Sequence, residues 1–178
     1  MIIGVLKEPN FETRVSILAE SVAALIKKGN SVIVESGAGE KSFNSNLEYE
    51  KIGAEIKSRT EVLEQAEILL SIHPLLDDDF SKINSKILLG VHQPLSNGEN
   101  VIKSIERKLT TFSLDMLPRT TRAQAMDVLS SQANIAGYKA VLLAANSYGR
   151  YFPMFMTAAG SIAPAKVLIL GAGVAGLQ

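Results

Sequence analysis

The chain has 178 residues, 47% of them hydrophobic and 20% charged, which lies inside the ordinary globular range and well away from disordered composition. Eighteen Lys plus Arg balance eighteen Asp plus Glu, so no field of one sign gathers nucleic acid or an anionic membrane surface, and nucleic acid is not expected as a partner. The absence of cysteine removes disulfides, thiolate metal sites and Cys nucleophiles together and fits a reducing cytoplasm; no metal site is expected.

The length exceeds the roughly 100 to 150 residues of a usual single domain, so one domain and part of a second is the expectation. Met1 to Leu6 is apolar but soon meets Lys7 and Glu8, too short a run and without the basic start of a signal peptide. Ile2 to Leu6 opens a series of short apolar runs continued at Ser31 to Glu35, Glu67 to Ile72, Lys86 to Val91, Thr110 to Leu114 and Lys166 to Leu170. Helix-length amphipathic segments lie between them. The alternation predicts an α/β fold with a doubly wound, mostly parallel sheet covered on both faces.

The first helix, Leu18 to Lys28, carries Val22, Leu25 and Ile26 on one face, has Lys27 and Lys28 at its negative end, and stops at Gly29. Ser58 to Glu61 reads S-x-x-E before Val62 and Leu63, a capping box that starts another helix. Asn97-Gly98 marks a turn, after which Val101, Ile102 and Ile105 recur at helical spacing from Glu99 to Lys108. From Ala123 to Ser147 one long helix is predicted; no charge falls between Asp127 and Lys139, so its middle is expected to be buried. Its small residues, among them Ser130, Ala133, Gly137 and Ala140, suit close approach of neighbouring backbones. Tyr148 to Ala165 is irregular, rich in Gly, Pro and Met, and too broken by Pro153, Gly160 and Pro164 to span a bilayer that needs about 20 apolar residues. The lobe boundary is placed here, giving an N-terminal lobe over 1–147 and a connection with the opening of a second lobe over 148–178.

The run Lys166 to Leu170 leads directly into Gly171-Ala172-Gly173-Val174-Ala175-Gly176, a predicted strand entering G-x-G-x-x-G. In a dinucleotide site the first Gly permits the tight turn, the second lets backbone approach the pyrophosphate and the third allows close packing, with phosphate at a helix N-terminus. Gly171, Gly173, Val174 and Gly176 are the candidate contacts. The chain stops at Gln178, before the acidic residue about 20 positions on that reads the ribose, so the reading expects a second lobe cut off after its opening and a chain that holds nucleotide weakly alone.

A second constellation precedes the long helix, where Gln124, Asp127 and Ser130 fall three apart and Arg119 and Arg122 lie on the approach. Gln plus carboxylate supply the donor and acceptor that fix a nicotinamide carboxamide, and hence which ring face is offered. The same spacing serves equally for Asp127 as a helix cap paired with an arginine.

The run PRTTRAQAMDVLSSQANIAGYKAV, Pro118 to Val141, resembles the signature of the NAD(H)-binding α subunit of proton-translocating transhydrogenases, a family related to alanine dehydrogenase. Gly4-Val5 with Lys7-Glu8, Glu12-x-Arg14-Val15, Val34-Glu35-x-Gly37-Ala38-Gly39, Tyr49-x-x-x-Gly53-Ala54 and Thr157 to Gly160 fit the same pattern. The resemblance implies contacts to the nicotinamide end of NAD(H) from Arg119, Gln124, Asp127 and Ser130, within a contact run that also includes Thr120, Thr121, Arg122, Ala125 and Met126. It implies hydride transfer to NADP(H) on a partner component, a membrane-embedded component coupled to proton movement, a homodimer, and a cytoplasmic location peripheral to the inner membrane.

Amino-acid oxidation needs a general acid or base and a cation for the carboxylate, whereas hydride passing between two nicotinamides needs neither. The alanine dehydrogenase pattern has Lys two residues before a Pro and a His after the next strand; here Ile72 precedes Pro74, and Gln93 stands at the His position. Both departures favour the transhydrogenase component. His73 and His92 then read as ordinary loop histidines, although a one-residue shift of register restores a base. Alanine dehydrogenase-like amino-acid oxidation and a non-catalytic role are the alternatives; no catalytic residue is assigned.

Overall fold

A computed structural model describes all 178 residues, Met1–Gln178. Five of the apolar runs become β1 (Ile2–Val5), β2 (Ser31–Glu35), β4 (Ile68–Leu70), β5 (Ile87–Gly90) and β6 (Thr110–Ser113), joined by a further short strand, β3 (Glu55–Lys57), with α1 (Ala19–Lys27), α2 (Asn46–Lys51), α3 (Arg59–Gln65), α4 (Asp77–Phe80) and α5 (Gly98–Glu106) between them. All six strands are parallel, in the order β3-β2-β1-β4-β5-β6, with Ile3 beside Val32 and Ile68. This is the doubly wound arrangement expected from the alternation of runs.

A strand covered on both faces sends alternate side chains into two cores. Ile3, Val5, Val32, Val34 and Leu70 pack with Val22 of α1 and Tyr49 of α2, while Leu6, Ile33, Leu69 and Leu88 pack with Val62 and Leu63 of α3 and Phe80 of α4. Each fully buried Val or Leu contributes about 1.5–3 kcal/mol of transfer free energy. Gly4 explains how closely α3 lies on β1: a Cβ there would stand 2.7 Å from Ala66 Cβ and 2.8 Å from Val62 Cγ1. Tyr49 is fully buried and donates to the Ile17 carbonyl at 2.8 Å, and burial pushes its phenol up to about 12.

Local signals set several boundaries. Gly29, at φ 84°, ends α1, and its N–H donates to the Ile26 carbonyl at 2.9 Å. The Glu61 carboxylate accepts the Ser58 N–H at 2.8 Å, closing the capping box of α3. The sequence reading missed β3, a short polar edge strand, and α2, whose own capping box places the Glu48 carboxylate 2.6 Å from the Ser45 N–H.

The chain forms two compact units, Met1–Pro118 and Arg119–Gln178. The second holds a 3-10 segment (Thr121–Met126), α6 (Val128–Ser147), an antiparallel pair β7 (Phe155–Thr157) and β8 (Gly160–Ile162), and α7 (Val174–Leu177). The break between the units, at Pro118/Arg119, falls ahead of the long helix. The single helix expected from Ala123 is two pieces, because Asp127, at ψ 85°, leaves helical geometry and caps α6. The expected burial of its middle is also corrected: Gly137 alone is buried, while Ile135, Tyr138, Leu142 and Leu143 are exposed. A helix apolar all round needs neighbours on every side, and α7 is the helix with substantial contact to it. Tyr148 to Ala165, expected irregular, contains the β7–β8 pair. Lys166 to Leu170, expected as a strand, is not one, since no other strand pairs with it to take its backbone groups. No helix is long and apolar enough to cross a membrane.

Candidate functional site

In open parallel sheets ligands gather outside the carboxyl ends of the strands, at the point where strand order reverses. Here that point lies between β1 and β4. Lys7 and Glu8 leave β1, and Ser71, Ile72 and His73 leave β4. The buried Glu8 carboxylate accepts the backbone N–H groups of Ile72 at 2.6 Å and His73 at 3.0 Å. Burial raises its pKa, and those two donors oppose the rise.

Glu12 organises the outer side of this point. Its Oε1 accepts from Arg14 Nε at 2.9 Å and its Oε2 from Arg14 Nη2 at 2.6 Å, while His73 Nε2 lies 2.9 Å from Oε2. The paired Arg14 guanidinium holds the Glu12 carboxyl well below the usual carboxylate range, against its partial burial. Phe11 closes edge-on over the His73 ring at 5.0 Å. A cavity of about 250 Å³ opens beside the cluster, with Lys7, Glu8, Glu35, Arg59 and His73 in its wall. The Arg59 fork meets Asp79 at 2.9 and 2.6 Å, and its Nη1 meets Glu35 at 2.8 Å, joining the carboxyl ends of β1 and β2 to α4.

Both histidines lie in loops, as expected, and neither is fully exposed. His73 is part-buried on Glu12, and His92 is buried, its Nε2 without a hydrogen-bond partner. Burial pushes His92 down from the ordinary imidazole value, partly opposed by Asp115, which favours the neutral ring. Gln93, at φ 49°, forms the turn before α5, its carbonyl accepting the N–H groups of Ser96 and Asn97 at 2.9 and 3.0 Å.

In the second unit, Asp127 caps α6: its carboxylate accepts the Ser130 N–H at 2.9 Å and the Ser130 hydroxyl at 2.6 Å. These bonds, with a smaller effect from Arg119, hold its pKa below the ordinary aspartate value. Gln124 does not share an α-helical face with Asp127 and Ser130, contrary to the spacing argument, because it sits in the 3-10 segment, where its carbonyl accepts the Asp127 N–H at 3.2 Å. Arg119, Thr120, Thr121, Arg122, Gln124, Ala125 and Met126 are all exposed, so they line an open approach to the cap.

The glycine-rich turn has three different glycine geometries. Gly171, at φ 109°, adopts a left-handed turn that side chains disfavour. Nothing lies within 4 Å of a Cβ built on Gly173, so its backbone is open to close approach. A Cβ on Gly176 would stand 2.1 Å from the Gly171 carbonyl oxygen. Val174 then opens α7, with the Leu177 N–H donating to the Gly173 carbonyl at 3.0 Å.

Comparison with known proteins places these features in one family. The model of the alanine dehydrogenase/PNT N-terminal domain matches residues 4–136, and that of the alanine dehydrogenase/PNT C-terminal domain matches residues 140–178. The chain is 41% identical over 173 residues to an NAD(P) transhydrogenase subunit alpha of Rickettsia prowazekii, covering 94% of this chain and 45% of that protein. It is 30% identical over 182 residues to the alanine dehydrogenase of Mycolicibacterium smegmatis, covering 99% and 48%. The crystal structure of transhydrogenase from Sinorhizobium meliloti superposes with a TM-score of 0.94 at 41% identity, covering 99% of this chain and 54% of that one. The chain thus spans about half the length of these relatives. The resemblance read from Pro118 to Val141 is borne out: the chain belongs to the alanine dehydrogenase/PNT family.

Proposed function

We propose that this chain is the front part of the NAD(H)-binding component of a proton-translocating transhydrogenase. In that assembly hydride passes between NADH and NADP+ held on a partner component, with a membrane-embedded component coupling the transfer to proton movement. The observation that carries the choice within the family is the state of Arg14. Its Nε and Nη2 are committed to Glu12, whose carboxylate also lies against His73, so both side chains are engaged with a carboxylate of the chain itself and not with that of a substrate. Hydride transfer between nicotinamides requires neither group. The 41% identity to a transhydrogenase subunit, against 30% to an alanine dehydrogenase, supports the same choice.

The residues present fit a dinucleotide. The Asp127 carboxylate retains acceptor capacity beyond its two bonds from Ser130, and exposed Gln124 and Arg119 lie near it, so a carboxamide meets an acceptor and donors together. The open backbone at Gly173 and the left-handed turn at Gly171 suit approach of a pyrophosphate. When bound, NADH supplies the hydride. The role of Arg119, Gln124, Asp127 and Ser130 is to orient the ring, with Thr120, Thr121, Arg122, Ala125 and Met126 forming the approach and Gly171, Gly173, Val174 and Gly176 receiving the phosphates. Orientation of this kind supplies several kcal/mol of a barrier, on the order of 7 or more in well-aligned cases.

The working assembly is a homodimer on the cytoplasmic side of the inner membrane, held there by partner subunits. Two assays test the reading with the full-length protein: hydride transfer from NADH to an NADP+-loaded partner, expected to proceed, and alanine-dependent formation of NADH, expected to be absent. Turnover of alanine would overturn it. Titration of the 178-residue chain alone with NADH should show weak binding, since it spans about half the length of its relatives; tight binding contradicts that aspect of the reading.

A further inference from the structure

Helix α6 buries one residue along its whole length, Gly137. At that point it meets the backbone of α7. A Cβ on Gly137 would stand 2.3 Å from the Ala175 carbonyl oxygen and 3.0 Å from its carbonyl carbon and Cα. Real Cβ atoms do not approach backbone this closely, and no side-chain rotation relieves the contact, so helix and turn would have to separate. Glycine is the poorest helix former after proline, so local helix stability gives no reason for it here. A second backbone contact lies in series with the first: Gly176 packs onto the Gly171 carbonyl.

α6 begins at the Asp127 cap with Ser130 in its first turn, and α7 opens directly from Gly173. We propose that Gly137 is a positioning residue for the dinucleotide: by letting α6 rest on the backbone of Ala175, it sets the span between the ring end at Gln124, Asp127 and Ser130 and the phosphate end at Gly171 to Gly176. This inference rests on the NAD(H)-binding function proposed for the chain. A ligand whose halves are covalently joined gains from both subsites only when their spacing matches it, and that gain is an effective concentration which a change of spacing removes. The halves offered separately do not sense the spacing.

The test is calorimetric titration of the full-length protein and its Gly137→Ala variant with NADH and with ADP-ribose, which occupies the phosphate end alone. The spacing role requires NADH affinity to fall about tenfold or more while ADP-ribose affinity changes by less than about twofold. Ala140→Ser, on an exposed position of the same helix, should change neither. A merely structural glycine would lower the melting temperature and weaken both ligands in proportion; that result, or unchanged NADH binding, sinks the proposal. Wild-type protein that binds no NADH refutes the underlying reading instead. Should Gly137→Ala fail to fold, spin labels at Ser131→Cys and Leu177→Cys decide, since these 178 residues hold no cysteine of their own. One narrow distance, the same with and without NADH, supports a fixed span, and a broad distribution overturns it.

Discussion

Replacing Arg59 with methionine isolates the contribution of the ion network beneath the switch point. Arg59 Nε and Nη2 meet the two Asp79 oxygens at 2.9 and 2.6 Å, and Nη1 meets Glu35 Oε2 at 2.8 Å and the Lys7 carbonyl at 3.1 Å. The Asp79 side chain is 3% exposed and that of Glu35 12%, so both carboxylates, Asp79 above all, are largely desolvated and depend on the guanidinium. Asp79 would keep the Leu76 N–H at 3.1 Å, and Glu35 the Lys7 N–H at 2.8 Å. Removing one partner of a buried pair costs about 3–5 kcal/mol, because the remaining charge stays desolvated. A unit of this size is stable by roughly 6–18 kcal/mol at 0.05–0.15 per residue, so Arg59→Met should consume a large fraction of its stability. The melting temperature should fall on the order of 10–20 °C. Urea unfolding at pH 7 reads the loss directly. Adding Asp79→Leu and Glu35→Gln to Arg59→Met should recover most of it, since apolar replacement of a whole buried network is often neutral. A loss below about 1 kcal/mol at unchanged m-value would refute the desolvation argument, because it would mean water reaches both carboxylates.

At the start of α6, Asp127→Asn retains an oxygen to cap the helix but loses the charge, whereas Asp127→Ala loses both. NADH affinity of the full-length protein should fall about tenfold or more in both variants, with melting temperature lowered mainly in Asp127→Ala; affinity that tracks melting temperature across the two would reduce Asp127 to a cap. Arg14 holds the Glu12 carboxyl below its ordinary range, so the stability it adds is fully present above the unfolded glutamate value and is lost as pH falls through the lowered one. Thermal melts should therefore show Glu12→Gln flattening the acid limb of the stability profile, and an unchanged limb would assign it to other carboxylates. Gly4→Val forces a side chain into Ala66 and Val62 and should cost about 1–3 kcal/mol in denaturant unfolding; a smaller cost means α3 can lift from β1. The His92 imidazole, pushed down by burial, should titrate by NMR below the value of an unstructured histidine, and titration at that value would show its ring reaching solvent.

Periodicity and punctuation made most of the first unit legible. The apolar runs at Ile2, Ser31, Glu67, Lys86 and Thr110 became parallel strands, Gly29 ended a helix, and Ser58 with Glu61 began one, because these signals act over a few residues and need no partner elsewhere. The residues Pro118 to Val141 likewise carried the family. What the sequence could not supply was anything that depends on pairing at a distance. Lys166 to Leu170 has strand composition but no strand beside it, and α6 has a buried helix's composition but little packed around it. Arg59 lies twenty positions from Asp79, and Glu12 sixty-one from His73, so no local spacing marks either pair. The strand order that reverses between β1 and β4, and the bare contact of Gly137 with Ala175, are likewise decisions of tertiary structure. Local rules set what each segment prefers to be, but only the closed chain determines which charges are left without water and which backbones touch.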